Sequence, residues 1–172
     1  MGIRQLNGTY VPAEDRILLR ITTDAAEEFR FWLTRPITGQ LLGAINAAAE
    51  RAIAQKFPAQ VAQTVAEFEQ QAVKAQTKLD DQFQPGATFP LGEAPGLVVK
   101  LGVGEKGNDI SLDLTMPNGA SINLCIPPKL AQQIGVLLDG LQQKATWGIA
   151  QTAASASATA PEATSNEKKL IH

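Results

Sequence analysis

The chain has 172 residues, 44% of them hydrophobic, with nine aromatics and a net charge of −2. That is enough apolar content for one domain built mainly on Leu, Ile, Val and Ala. The near-neutral balance argues against a general nucleic-acid or anionic-membrane binder, which would carry a clear positive excess. With one cysteine (Cys125) and one histidine (His172), neither an intramolecular disulfide nor a zinc site of the usual ligand set can form.

The opening residues Met1 to Asn7 contain no apolar run of the kind a secretory signal needs. Gly2 suggests myristoylation, but Leu6 stands where that pattern requires Ser or Thr. No stretch approaches the roughly 20 apolar residues of a membrane helix. A cytoplasmic protein without membrane partners is the expectation.

A weak strand is expected from Gln5 to Val11, interrupted at Asn7-Gly8. Residues 16–22 and 28–34 then alternate with period two, placing Ile17, Leu19 and Ile21 on one face of the first strand and Phe29, Phe31 and Leu33 on one face of the second. Thr23-Asp24-Ala25-Ala26 lies between them as a turn, so the pair predicts a hairpin. Pro36 opens a helix as a first-turn proline, with Ile37, Leu41 and Ile45 at helical spacing to about residue 56.

Phe57-Pro58 breaks that helix. Val61, Val65, Phe68, Ala72, Ala75, Leu79 and Phe83 follow at spacings of four and three, predicting a connecting helix over 59–83, about 35 Å long. It packs either on its own domain or on the same helix of a second chain. Residues 84–96, rich in Gly and Pro, predict a loop.

The second half repeats the first. Leu97 to Val103 predicts a strand. Ile110, Leu112 and Leu114 point inward before a Pro117-Asn118-Gly119 turn, and Ile122, Leu124 and Ile126 follow it. A helix from Pro127-Pro128 carries Leu130, Ile134, Leu137, Leu138 and Leu141. Nine apolar positions of the first half, from Ile17 to Ile45, recur 93 residues later, from Ile110 to Leu138. The fold class expected is α+β: two strand–strand–(strand)–helix repeats (about 3–56 and 97–147) forming an antiparallel sheet with helices on one face. The domain is expected to span 1–147. Residues 148–172, rich in Ala, Ser, Thr and Pro, are expected to be a disordered tail.

The element order over 1–147, leaving out the connecting helix, resembles the PUR and Whirly folds. That resemblance implies a strand surface for single-stranded nucleic acid. The outward Ser111, Asp113, Thr115, Ser121 and Asn123 depart from the basic and aromatic residues such a surface carries.

Familiar catalytic sets are missing. His172 is the last residue, with nothing to orient it, so Ser-His-Asp and Cys-His arrangements are disfavoured. Cys125 alternates outward without a visible base or cation. The glycines at 102, 104 and 107 lead into a strand rather than a helix, so they fit neither a dinucleotide fingerprint nor a P-loop. No cofactor or metal is expected, and no enzyme.

One patch invites a function. Five of the six arginines lie in the first 36 residues, a stretch without lysine. If Ile21 pairs with Phe29, then Arg20 faces Arg30 and Leu18 faces Trp32 on the outer side, with Arg16 and Arg35 nearby. Like charges directly opposed in a sheet are unfavourable unless offset. Arg16, Leu18, Arg20, Arg30, Trp32 and Arg35 therefore form either a binding surface or a neutralised one. In the second case Glu14, Asp15, Glu27 and Glu28 supply the countercharge, and the 59–83 helix or a second subunit covers Leu18 and Trp32. The function expected is a non-catalytic protein-interaction or self-assembly module, dimerising through this face or the connecting helix. The alternative is weak single-stranded nucleic-acid binding at the same arginines.

Overall fold

A computed structural model describes residues 2–54, 71, 83–107 and 109–149. The fold is mixed α+β. Its strands divide into two sheets where the sequence leads one to expect a single sheet. The first contains β1 (Ile3–Val11), β2 (Arg16–Thr23), β3 (Glu28–Leu33) and the two-residue β4 (Gly96–Leu97), in that spatial order. The second contains β5 (Lys100–Lys106), β6 (Asp109–Thr115) and β7 (Ser121–Ile126). Among the described residues α1 (Arg35–Ala54) and α2 (Pro128–Lys144) are the helices that accompany them.

The division falls at one point in the chain. The stretch expected as one strand from Leu97 to Val103 changes sheets at its second residue. Val98 N–H donates to Trp32 O of the first sheet at 3.0 Å, and Val99 N–H donates to Thr115 O of the second at 2.9 Å. Val98 is buried while Val99 is 50% exposed, so the segment is anchored on one side of the crossing and open on the other. Strands that change sheets in this way make the corners of layered β structures.

The alternating residues do what their period requires. Ile17, Leu19, Ile21, Phe29, Phe31 and Leu33 are all buried. So are Ile110, Leu112, Leu114, Leu124 and Ile126, while Ile122 is half-buried. In the first hairpin Ile17 lies opposite Leu33 and Ile21 opposite Phe29. In the second, Ile110 lies opposite Ile126 and Leu114 opposite Ile122. These side chains and those of both helices form one apolar cluster. At roughly 25 cal/mol per Å² of apolar area removed from water, that cluster dominates the stabilisation.

Each helix packs on the other helix and also reaches the first strand of the other sheet: α1 touches β5 and α2 touches β1. The α2–β1 approach explains a glycine. A Cβ on Gly8 would stand 2.6 Å from Leu141 Cδ1 and 3.2 Å from Leu137 Cδ2. Asn7-Gly8 therefore does not interrupt β1, which runs through it with Gly8 opposite Leu19. The missing side chain lets the helix sit close.

Just past the C-terminus of α2, Trp147 is buried and donates its Nε1–H to Asp15 Oδ1 at 2.8 Å. Tyr10 O–H donates to the same oxygen at 2.9 Å, and its ring meets Trp147 edge-on at 5.8 Å. These two donors hold the Asp15 carboxyl below its usual range and help keep it ionised. The predicted connecting helix lies outside the described residues, except Gln71 and Phe83, as does the tail beyond Ile149.

Candidate functional site

The outer face of the first sheet carries the arginines in register. Thr9, Leu18, Trp32 and Leu97 form one cross-strand row, and Asn7, Arg20 and Arg30 form the next. Leu18 and Trp32 are half-buried, Arg16 extends this face toward the first turn, and Arg35 is exposed at the start of α1. Arg16 forms a 3.6 Å ion pair with Glu14.

The chain itself crosses this face. Residues 83–89 run over the arginine row as a strap. The Phe83 ring covers the Arg20 guanidinium at 4.1 Å, and the Phe89 ring covers that of Arg30 at 4.5 Å. Arg20 also donates twice to Asn7 Oδ1, from Nη2 at 2.7 Å and from Nε at 3.2 Å. Arg30 donates from Nε to Glu28 Oε1 at 2.7 Å and from Nη1 to Glu93 O at 3.0 Å. The opposed cations expected from the register are thus each met by an aromatic ring and a separate acceptor.

Glu28 ties the strap down. Its side chain is fully buried, with one oxygen on Arg30 and the other accepting from Gly86 N–H at 2.9 Å. Burial pushes its carboxyl upward, but the Arg30 and Gly86 hydrogen bonds and the charges of Arg30 and Arg20 outweigh that and hold it below the usual glutamate range. Around it the backbone is paired: Glu28 N–H donates to Thr88 O at 2.8 Å, and Ala87 N–H to Ala26 O at 2.7 Å. Gly86 fits here because a Cβ would stand 2.7 Å from the Glu28 backbone nitrogen.

The second sheet presents the opposite picture. Its outer face is polar: Asn123 Nδ2 donates to Ser111 Oγ at 2.7 Å and to Asp113 Oδ1 at 2.6 Å, and Cys125 Sγ lies 3.7 Å from Asn123 Oδ1. Gly102 lies opposite Asp113, and Gly104 opposite Ser111. Among the described residues no strap crosses it, and no strand pairs with β7 on the side away from β6.

The open edge can be read group by group. In antiparallel pairs, residues that exchange hydrogen bonds with one neighbour alternate with residues that face away. Met116 N–H donates to Ala120 O at 2.8 Å, which makes Ile122, Leu124 and Ile126 the members of β7 bonded to β6. Ser121, Asn123 and Cys125 therefore turn their backbone N–H and C=O outward. On β3 the matching residues are Glu28, Arg30 and Trp32, as fixed by the Thr23 N–H to Glu27 O bond. There Glu28 N–H is taken by Thr88 O, and Trp32 O by Val98 N–H. Their counterparts 93 residues on, Ser121 N–H and Cys125 C=O, have no backbone partner among the described residues.

Sequence reasoning placed the arginine row but not the strap, since residues 84–96 read only as a loop. Two aromatics, Phe83 and Phe89, flanking a Gly/Pro stretch were the available signal. Among the described residues no three of His, Cys, Asp and Glu stand together to hold a metal ion, and no helix is long and apolar enough to cross a membrane.

No family model, no curated protein and no solved structure matches this chain. The resemblance to PUR and Whirly folds therefore rests on element order alone.

Proposed function

We propose that this chain is a non-catalytic protein-interaction module whose docking surface is the open side of the second sheet, along β7 and the polar row beside it. The observation that carries this reading is the contrast between two equivalent edges. Glu28 N–H and Trp32 C=O on β3 are taken by Thr88 and Val98, whereas their counterparts on β7, Ser121 N–H and Cys125 C=O, have no backbone partner among the described residues. Unpaired strand edges are templates for another chain, and main-chain hydrogen bonds supply affinity in such strand additions.

Edge chemistry supports the same side. Ala120 to Ile126 carries no charge and no proline, the devices that ordinarily keep an edge from pairing. Nucleic acid at Arg20 and Arg30 is the less favoured reading, because phenylalanine rings already occupy the guanidinium faces on which bases would stack.

A photoreactive side chain placed at Asn123, and separately at Thr9 on the outer face of the first sheet, tests the proposal in cell extract. Intermolecular adducts should concentrate at position 123. Equal or greater capture at position 9 would overturn the reading.

A further inference from the structure

We infer that the occupant of the β7 edge is β7 of a second copy, paired antiparallel about a twofold axis at Asn123, so that two three-stranded sheets become one of six strands. This rests on the interaction-module reading above and names its partner. The backbone sets the register. For outward-facing residues of one copy to bond outward-facing residues of the other, odd-numbered positions must lie opposite odd-numbered positions. Centring on Asn123 places Ser121 opposite Cys125 of the partner subunit and Asn123 opposite Asn123 of the partner subunit, engaging all three. Sliding one step toward the C-terminus sets Ser121 against Pro127 of the partner subunit, which has no N–H to donate.

Side chains agree with this register on both faces. Outside, Ser121, Asn123 and Cys125 are small and uncharged, so a symmetric pairing opposes no like charges. Inside, Ile122 comes opposite Leu124 of the partner subunit. Ile122 is the half-buried member of an otherwise buried inward row in this hairpin, and its counterpart Phe29 is buried. The pairing is isologous and closes on itself. The edges left at the ends of the six-stranded sheet are the two β5 strands, which carry Lys100, Glu105 and Lys106, all exposed. Charged edges resist further addition.

The test uses the native cysteine. Ser121→Cys puts a second thiol opposite Cys125 of the partner subunit, where directly opposed Cα atoms lie roughly 5.5 Å apart, within the range a disulfide spans. Within one strand the two thiols are four residues apart, about 13 Å, so a 121–125 disulfide must join two chains. Mild oxidation of the purified variant should give a covalent dimer whose peptides map to 121–125 links, while the wild-type chain with Cys125 alone gives none. Sedimentation of the wild type over roughly 1–500 µM should show a dimer. Asn123→Lys, which opposes two ammonium groups at the axis, should be monomeric with an unchanged circular dichroism spectrum. A wild type that stays monomeric throughout, together with Ser121→Cys that forms no 121–125 link, overturns the inference. If in that case the probe at position 123 captures a different protein, only the self-pairing is lost; if it captures nothing beyond position 9, the interaction-module reading falls too.

Discussion

The two sheets share a hairpin register yet treat their outer surfaces in opposite ways. On the first, the outward row is charged, and the chain returns to cover it. Phe83 and Phe89 stack on Arg20 and Arg30, and buried Glu28 holds the strap through Gly86. On the second, the outward row is small and mostly uncharged, its one carboxylate, Asp113, accepting from Asn123, and among the described residues nothing covers it. A surface costly to leave bare is closed in cis, while a surface that is harmless in water stays available.

The largest expected effect comes from cutting the strap's tie. Glu28→Ala leaves Arg30 without its carboxylate and Gly86 N–H without its acceptor, at a cost of about 2–3 kcal/mol in urea unfolding. Ser121→Ala, at the matching position of the open edge, should change stability by less than about 0.5 kcal/mol. Similar costs at both positions would erase the contrast.

Next is helix seating. Gly8→Ala drives a Cβ into Leu141 and Leu137 and should cost about 1–2 kcal/mol. Its equivalent in the second sheet, Val103, faces Leu112 but is 43% exposed, and Val103→Ala should cost under about 1 kcal/mol.

Acid should weaken the first sheet's cover selectively. The folded Glu28 carboxyl is held below its unfolded value, so its stabilisation is complete above the ordinary glutamate range and is lost as pH falls through the depressed one. Amide exchange at Ala87, which donates to Ala26, should accelerate in that acid window relative to the amides of β6. Glu28→Gln should remove the pH dependence.

The smallest effect concerns the first hairpin's turn, where Ala26 adopts φ 58°. Ala26→Gly should stabilise by about 0.5 kcal/mol, measured as a raised thermal midpoint. Gly119, at φ 81° in the second hairpin's turn, already has this freedom.

Much of this architecture was legible in the sequence because it follows from period and spacing. Alternation assigned the inward residues of β2, β3, β6 and β7, and the register of the first hairpin put Arg20 opposite Arg30 and Leu18 opposite Trp32. What escaped depends on contacts between distant segments. Gly8 looks like a strand breaker until α2 is seen against it. Residues 97–99 read as one strand because nothing local marks the handover from Trp32 to Thr115. The strap has no period at all: it is held by Glu28, Gly86 and Thr88, which are brought together only by the tertiary fold.

Amide hydrogen exchange on the purified chain at several protein concentrations tests the contrast most directly. Glu28 N–H should be protected at every concentration. Ser121, Asn123 and Cys125 should exchange freely when dilute and gain protection on concentration, while Ile122 and Leu124 stay constant. Exchange at Ser121 that is slow in dilute solution, or as fast at Glu28 as at Ser121, would contradict it.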